Sequence, residues 1–582
     1  IRYRLFYSIQ LAEGGKNVSL QFIIGSSGIG KTHYACEQII RESMENPQHL
    51  YYIIVPEQFT MQTQKNVVEM HPGKGILNID VLSFQRLAYR IFEETGGARE
   101  VLLDDTGKSM VLQKLVQQHR KNLPYLGSQM NKPGYLDEVK SLISEFMQYD
   151  IREEELQDML GKTGEDSLLH MKMQDVGVLY QAFLQYLEGH YMTGEGVMDA
   201  LKKAIPFSDK LKKSVLLLDG FTGFTPVQMN VIRELLNVCD KVLVTVTMDA
   251  GENPLQLGKP HQLFYMSRKM IHTLSGLTSN LDDPVLLKDE RKGRFGNSTS
   301  LDFLEKHLFR YRRSAYEKKQ EEICIFAAES PVKELEETAR RIRRLVREKN
   351  LKYGEIAVIT GNLEAYKSIA SQVFEESRIP YFLDEKHTIL MNPFIEYIRA
   401  ALEMVTKGFS YESVFRYLRC DMSGLGREQV DMLENYVLAL GIHGYKKWSE
   451  KWVRVYRTMD PEDIQVLNEY REIFVREAEI LAQGFSSGKR KVCEYCYSLY
   501  QFIASCEIQK KLKKQELFFK EKGEKALEKE YAQIYGIVME LLDRMVEILG
   551  EEEITRTEFV QLLETGFAKS KVALIPPSMD QV

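Results

Sequence analysis

The chain has 582 residues, of which 44% are apolar and 27% charged, and its formal net charge is −6 at pH 7. This composition is typical of folded proteins and excludes a disordered or fibrous one, while the length predicts several folding units rather than a single core. The negative net charge excludes a protein that coats nucleic acid through a basic surface all round, but it does not exclude a local basic groove.

No apolar run is long enough to span a bilayer, and the N-terminus lacks the features of a signal peptide, so the sequence predicts a cytoplasmic protein without a membrane partner. The seven cysteines are scattered without the spacing of a disulfide framework. Cys493 and Cys496 form a C-x-x-C pair. The surrounding segment reads as a helix without a second ligand pair nearby, which favours helix packing over a metal or redox site.

Five short apolar or β-branched runs in the first half predict the strands of a buried parallel sheet. They are LQFIIG, YYIIVP, LNIDVLS, SVLLLDG and DKVLVTVTMD. Roughly 120 residues of helical pattern separate the third run from the fourth, which indicates a helical insertion into an α/β domain.

The second half repeats this plan. EEICIFAAES, YGEIAVITG and IPYFLD predict further strands, and the pattern is helical from Asn392 to about Glu564. KVALIPPSMDQV then begins another apolar strand, and we expect the chain to be cut from a longer protein because nothing follows that strand. The simplest map is two α/β domains, each interrupted by a helical one.

The first predicted strand runs into a match to G-x-x-x-x-G-K-[ST], a phosphate-binding loop, and a predicted helix leaves it. The loop consists of Gly25, Ser26, Ser27, Gly28, Ile29, Gly30, Lys31 and Thr32. Its glycines allow backbone N–H groups to converge on phosphates, Lys31 would contact the β- and γ-phosphates of ATP, and the Thr32 hydroxyl would hold Mg²⁺. The alternative is a glycine-rich turn that binds nothing.

The apolar run VLLLD ends in Asp219, which would deliver a carboxylate to the magnesium ion. A strand that ends in aspartate is common, so this assignment depends on the loop. The next residue is Gly220, where strands of this type usually carry a catalytic glutamate.

Six segments carry a specific family resemblance: GSSGIGKTHY, VPEQFTMQTQ, ILNIDVLSFQRLAYRIFEETGG, LLLDGFTGFTPVQ, YGEIAVITGNLEAY and LIPPSMDQV. From Val18 to the last residue, the chain resembles AddB, the B subunit of the bacterial ATP-dependent helicase/deoxyribonuclease. More distantly, the layout is similar to UvrD-type superfamily 1 helicases.

The resemblance implies an α/β fold with two RecA-like P-loop domains, each interrupted by a helical insertion domain. The predicted boundaries are 18–100 and 209–320 for the first RecA-like domain, 101–208 for its insertion, 321–391 and a truncated 567–582 for the second RecA-like domain, and 392–566 for the second insertion. Residues 1–17 lie outside the resemblance, and EGGKN back-translates to a purine-rich run like a ribosome-binding site before a start at Val18. We therefore expect residues 1–17 not to belong to the natural protein.

The resemblance also implies a function. An AddB protein forms a heterodimer with the other subunit of the helicase–nuclease, which is the active motor, and the pair resects double-stranded DNA ends for recombination. AddB recognises the Chi sequence in single-stranded DNA and carries a C-terminal nuclease domain with a four-cysteine iron–sulfur cluster. That cluster is expected outside this chain.

This sequence departs from active UvrD-type motors at the catalytic positions. Asp219-Gly220 replaces their Asp-Glu pair, and Gly361 stands where they carry an arginine for the γ-phosphate. Losing a positioned base costs on the order of 10²–10⁴ in rate, and losing an arginine finger costs ~10³–10⁵. The sequence therefore predicts ATP binding without turnover. The alternatives are an active helicase with unrecognised catalytic residues and a scaffold with a vestigial loop.

Two segments occupy the places of DNA-contacting motifs in such motors. In VLSFQRLAYRIF the candidates are Ser83, Phe84, Gln85 and Arg86, and in PEQFTMQTQ they are Gln58, Phe59 and Thr60. These side chains offer phosphate contacts and stacking surfaces for single-stranded DNA. The alternative for Phe84 is core packing on the apolar stripe of its helix.

Overall fold

A computed structural model describes residues 19–97, 100–130, 134–164, 167–288, 293–310, 314–383, 386–456, 460, 462–573 and 580–582. The expectation for residues 1–17 therefore lies outside the described residues. The chain forms two compact units. Unit 1 comprises residues up to 104 and 119–325, and unit 2 comprises residues 105–118 and 326–582.

The strands are β1 (Ser19–Gly25), β2 (Leu50–Ile54), β3 (Ile79–Leu82), β4 (Val101–Leu103), β5 (Tyr191–Thr193), β6 (Ser214–Leu218), β7 (Lys241–Thr247), β8 (Val285–Leu286), β9 (Lys386–Thr388), β10 (Lys489–Lys491), β11 (Glu553–Thr555) and β12 (Lys571–Ala573). The helices are α1 (Lys31–Glu45), α2 (Thr60–Met70), α3 (Phe84–Thr95), α4 (Asp105–Gln118), α5 (Leu126–Gln129), α6 (Tyr135–Gln148), α7 (Glu153–Gly161), α8 (Leu168–Leu187), α9 (Gly196–Ala204), α10 (Pro226–Val238), α11 (Tyr265–Ser275), α12 (Thr299–His307), α13 (Pro331–Lys349), α14 (Leu363–Glu376), α15 (Pro393–Thr406), α16 (Tyr411–Leu418), α17 (Arg427–Leu440), α18 (Tyr445–Ser449), α19 (Asp463–Gly484), α20 (Val492–Ser505), α21 (Ile508–Lys522), α22 (Lys525–Leu549) and α23 (Arg556–Lys569).

Unit 1 is built on a six-stranded sheet with the order β3-β2-β6-β7-β1-β8. Each of these neighbouring pairs is parallel. The five predicted strands of the first half are β1, β2, β3, β6 and β7, and all five are confirmed. Because the strands are parallel, their carboxyl ends meet at one edge of the sheet, where ligands bind in open α/β sheets.

Helices cover both faces of this sheet, which explains why its strands are almost continuously apolar. Within β1, Leu20, Phe22 and Ile24 point into one core cluster, which includes apolar residues of α3, α9, α10 and α11. Ile23 points into the other cluster, which includes Ala35 and further residues of α1 and α2. The alternation of side chains along a strand thus buries both sides of β1.

The segment between β3 and β6 is largely helical, as the sequence predicts, with the small parallel pair β4–β5 added. One helix of this segment, α4, groups with unit 2 rather than with the rest of the predicted insertion 101–208. Lys114 of α4 forms a 2.5 Å ion pair with Glu552. Met110 to Leu112 of α4 are fully buried. A helix that is apolar on more than one side is buried among other elements, and α22 and α23 of unit 2 contact α4.

The remainder of unit 2 is mainly helical, and the predicted helical region 392–566 corresponds to α15–α23 with the short pair β10–β11. Three strands predicted in the second half are not assigned as strands in the described residues, namely those in EEICIFAAES, YGEIAVITG and IPYFLD. In the last of these, Phe382 N donates to Val582 O at 3.0 Å, and Val582 N donates to Pro380 O at 3.0 Å. Ile325 and Ile359 are 93% exposed. A β-branched sequence becomes a buried strand only when neighbouring strands pair with it and cover its faces. The domain boundaries predicted from the sequence stay predictions.

A close approach between α19 and α20 gives a test of the packing in unit 2. A Cβ atom added to Gly484 would lie 2.4 Å from the Cβ atom of Ser498. We expect Gly484→Ala to lower the free energy of unfolding by ~1–3 kcal/mol, because the two helices must separate. A fall in the melting temperature of the intact chain, followed by circular dichroism, measures this effect.

Gly536→Ala is the matched control, because Gly536 lies inside α22 with no atom within 4 Å of an added Cβ. Alanine is the better helix former by ~0.5–1 kcal/mol, so this variant should melt at the same or a higher temperature. Equal melting temperatures for Gly484→Ala and the parent chain would contradict the packing of α19 on α20.

Candidate nucleotide site

The predicted phosphate-binding loop lies at the carboxyl end of β1 and leads directly into α1. Gly28 and Gly30 have φ angles of 76° and 99°, in the left-handed region that favours glycine. An added Cβ on Gly28 would also lie 2.9 Å from the ring of Phe295. The N-terminus of α1 begins at Lys31, so its free N–H groups and positive dipole end face the loop.

Asp219 directly follows β6 and is nearly buried. The Thr32 hydroxyl donates to its two carboxylate oxygens at 3.1 Å and 3.0 Å, and the Thr245 hydroxyl of β7 donates to Oδ1 at 2.6 Å. A carboxylate and a hydroxyl beside a phosphate-binding loop are oxygen ligands of the kind that Mg²⁺ prefers. The residues therefore fit a magnesium–nucleotide site, in which Thr32 and Asp219 would hold the metal.

Lys31 is the first residue of α1 and directly precedes Thr32. Its Nζ atom donates to the carbonyl oxygen of Ser26 at 2.8 Å. Burial lowers the pKa of Lys31, while the negative charges of Asp219 and Glu305 oppose that shift. A lysine that is partly desolvated and faces the loop backbone is placed to neutralise a bound phosphate.

Gly220, at the position of the missing glutamate, has a φ angle of 79°. Its N–H donates to the Thr245 hydroxyl at 3.4 Å. Any other residue would be strained in this left-handed conformation. The backbone after Asp219 is thus shaped for glycine, and a substitution to glutamate would have to change that backbone as well as the side chain.

The two predicted DNA-contacting segments lie at the same edge of the sheet, because they follow the adjacent parallel strands β2 and β3. Arg86 forms a 3.2 Å ion pair with Glu57, which connects the two segments. Gln58, Phe59 and Gln85 are exposed, and 47% of Phe59 is accessible. The structure therefore brings Gln58, Phe59, Gln85 and Arg86 to one surface.

The other three candidates are buried. The Ser83 hydroxyl caps α3 by accepting from Arg86 N at 3.3 Å, and the Thr60 hydroxyl donates to the Glu57 carbonyl at 2.9 Å. Phe84 is 5% exposed and packs edge-on against Phe221 and Phe224 at ring-centre distances of 5.6 Å and 6.2 Å. In this structure Phe84 has the core-packing environment that the sequence left as the alternative.

Sequence reasoning missed two residues beside the loop. Thr245 lies in the apolar run VLVTVT, where a lone threonine gives no signal until β7 is placed between β1 and β6. Glu305 of α12 accepts a hydrogen bond from Ser27 N at 3.3 Å, although it lies far along the chain from the loop. Only the tertiary structure brings these two side chains to the site.

Cys493 and Cys496 both lie on α20, which confirms the helix predicted there. Burial raises the pKa of Cys496 to about 12. Among the residues that the structure describes, no group of three or more His, Cys, Asp or Glu side chains is arranged to hold a metal ion. Within the same described ranges, no helix has the length and apolar character needed to cross a membrane.

The parallel sheet, the loop after β1 and the Asp219–Thr32 pair define an α/β protein with a helicase-like P-loop fold. Two family models match the chain. ADDB, N-terminal, covers residues 22–305, and the UvrD-like helicase C-terminal domain covers residues 297–570. The chain belongs to the AddB family of ATP-dependent helicase/deoxyribonuclease subunits and has a distant relation to UvrD-type helicases. A two-domain helicase-like fold is consistent with both matches.

Curated relatives are named as the B subunit of the ATP-dependent helicase/deoxyribonuclease. The proteins of Lachnoclostridium phytofermentans and Clostridium novyi are 41% and 35% identical over 97% of this chain. The protein of Caldanaerobacter subterraneus subsp. tengcongensis is 34% identical over the same share. The chain spans about half the length of the curated relatives it matches, namely 50%, 49% and 49% of these three.

Cys36 of α1 provides a test of the packing beneath the loop. Burial, with a further contribution from the charge of Asp219, raises the pKa of Cys36 to about 12. At pH 8 only about 1 in 10⁴ of such a thiol is thiolate, the reactive form. Cys36 should therefore resist iodoacetamide in the folded protein and react after unfolding, as measured by peptide mass spectrometry. Exposed Cys324 is the internal control, and equal labelling of both cysteines in the folded state would contradict this environment.

Proposed function

We propose that the chain binds Mg-ATP and single-stranded DNA without acting as a motor, as the helicase-like part of a helicase–nuclease subunit. In this proposal the loop residues Gly25 to Thr32 bind the phosphates, and Thr32 and Asp219 hold Mg²⁺. Bound Mg²⁺ would neutralise phosphate charge. Gln58, Phe59, Gln85 and Arg86 form the exposed part of the DNA surface, with Thr60, Ser83 and Phe84 supporting it from within.

The observation that carries the proposal is the contrast between Asp219 and Gly220. Asp219 is fixed by Thr32 and Thr245, so the groups that recognise phosphate and metal are organised. Gly220 offers no side chain to position an attacking water. Loss of such a base costs on the order of 10²–10⁴ in rate, while binding depends on the loop amides, Lys31 and the metal ligands.

The names of the relatives support the wider role. They are subunits of ATP-dependent helicase/deoxyribonucleases, which is consistent with DNA as the substrate and with a second subunit as the partner. We propose that the whole protein forms a heterodimer with the motor subunit of the enzyme in the cytoplasm, resects double-stranded DNA ends and recognises Chi in the single strand. Its nuclease domain and iron–sulfur cluster would lie outside the 582 residues of this chain.

The nucleotide part of the proposal predicts that Mg-ATP raises the melting temperature. A ligand that binds only the folded state adds about 2.7 kcal/mol to the free energy of unfolding when its concentration is a hundred times Kd. Lys31→Ala should remove most of this rise, because loss of its charge-assisted contact weakens binding by ~1.5–3 kcal/mol. Thermal melting with and without Mg-ATP measures both effects.

Lys65→Ala is the matched control for Lys31→Ala. Lys65 is an exposed lysine of α2 whose contact is an ion pair with Glu69 at 3.9 Å, so this variant should keep the full response to Mg-ATP. Hydrolysis by the parent chain should stay negligible with or without single-stranded DNA. Robust DNA-stimulated turnover would instead support an active helicase, and the absence of any ATP response would favour a scaffold with a vestigial loop.

The DNA part of the proposal predicts weak single-stranded DNA binding whose affinity falls as salt concentration rises. Arg86→Ala should weaken binding similarly for all sequences and reduce the slope of log affinity against log salt by about one, because one phosphate contact is lost. The exposed ion pair with Glu57 is too weak to prevent Arg86 from binding phosphate. Fluorescence anisotropy of a labelled oligonucleotide provides the measurement.

Arg90→Ala is the control, since Arg90 lies one turn further along α3 and pairs with Asp80 at 3.1 Å. Its effect on affinity and on the salt slope should be smaller than that of Arg86→Ala. If the parent chain binds equally well at low and moderate salt, no phosphate-binding surface exists at this edge.

A further inference from the structure

An acidic side chain occupies part of the phosphate-binding loop. Glu305, near the end of α12, places its Oε1 atom 3.3 Å from the backbone N of Ser27 and accepts a hydrogen bond there. The Glu305 side chain is only 16% exposed. The N–H groups of such a loop are the donors that receive phosphate oxygens, so a carboxylate already uses one of them.

The segment that precedes α12 fixes this arrangement on the loop. Arg294 N donates to the carbonyl oxygen of Gly28 at 2.8 Å. An added Cβ on Gly293 would lie 2.8 Å from that same oxygen, and one on Gly28 would lie 2.9 Å from the Phe295 ring. The chain at Gly293–Phe295 therefore packs against the loop backbone without an intervening layer of side chains.

Arg310 forms a long ion pair with Glu305. Its guanidinium lies 4.0 Å from Glu305 Oε1 and forms two 2.9 Å hydrogen bonds with the carboxylate of Asp249, close after the end of β7. Arg310 also stacks over the Phe264 ring at 4.9 Å. Because β7 is the neighbour of β1 in the sheet, this network ties α12 to the scaffold that carries the loop.

We propose that Glu305 is an autoinhibitory residue, whose carboxylate competes with nucleotide phosphates for the loop and must withdraw before Mg-ATP binds. This inference rests on the proposed nucleotide site and adds its regulation. Phosphate and carboxylate both carry negative charge, so they repel each other at this distance and compete for the same donors. Any event that moves α12 away from the loop would then raise the affinity for nucleotide.

The test compares Mg-ATP binding by the parent chain and by Glu305→Gln, with isothermal titration calorimetry as the measurement. Glutamine keeps the size of the side chain and removes its charge. The charge-assisted hydrogen bond from Ser27 N–H to the Glu305 carboxylate is replaced by a weaker one to a neutral amide oxygen, which a phosphate displaces more easily. We therefore expect Glu305→Gln to bind Mg-ATP roughly tenfold more tightly or better. Pyrophosphate is the second probe, and it should show the same gain because the competition concerns phosphate alone.

Asp302→Asn is the matched control. Asp302 lies one turn earlier on α12 and pairs with Lys306 at 3.0 Å, so this variant removes the same charge from the same helix without a contact at Ser27. Its affinity for both probes should equal that of the parent chain. An equal gain for Asp302→Asn would overturn the proposal, since it would show a general effect of charge.

The remaining outcomes separate this inference from the proposed function. Equal Mg-ATP affinity for the parent chain and Glu305→Gln would overturn the autoinhibitory role and leave the nucleotide site intact. No binding by either protein would overturn both. ATP hydrolysis by the parent chain that Glu305→Gln abolishes would make Glu305 a catalytic base instead. If Glu305→Gln does not fold, Glu305→Asp, which withdraws the carboxylate by one methylene, should show a smaller gain in affinity, and no gain would overturn the proposal.

Discussion

The candidate nucleotide site depends on Asp219 being held between the hydroxyls of Thr32 and Thr245. Asp219 follows β6, Thr245 lies in β7, and Thr32 lies in α1, directly after β1 and the loop. The strands β6, β7 and β1 are successive neighbours in the sheet, although they are distant along the chain. The parallel pairing of the buried strands brings their carboxyl ends to one edge. If that pairing shifted, Asp219 would move away from Thr32, and the oxygens proposed to hold Mg²⁺ would separate.

The same edge continues from β6 through β2 to β3, where the proposed DNA surface lies. Nucleotide and DNA would therefore bind above adjacent strands of one rigid sheet. β2 lies between β6 and β3 in the sheet, and Glu57, in the segment that follows β2, pairs with Arg86.

The candidate site has groups suited to binding phosphate and Mg²⁺, and Gly220 stands where the sequence analysis expects a catalytic glutamate in active motors. Lys31, Thr32 and Asp219 are in place, but the backbone at Gly220 has a left-handed conformation that suits glycine. Glu305 adds a negative charge at the loop, where a phosphate would bind. These features agree with the proposals that the site binds nucleotide without rapid hydrolysis and that Glu305 controls its occupancy.

The sequence by itself determined five strands of the main sheet (β1, β2, β3, β6 and β7), the phosphate-binding loop and the position of Asp219 after β6. Buried parallel strands and a glycine-rich loop leave local patterns in the sequence. It also determined the helix that holds Cys493 and Cys496. Only the tertiary structure decided the burial of Phe84, the placement of α4 in unit 2, and the approach of Thr245 and Glu305 to the site. Those features arise from contacts between residues far apart in the chain. Among the described residues, the predicted strands around Ile325 and Ile359 are not assigned, because a strand forms only when other strands pair with it, and no local sequence pattern specifies those partners.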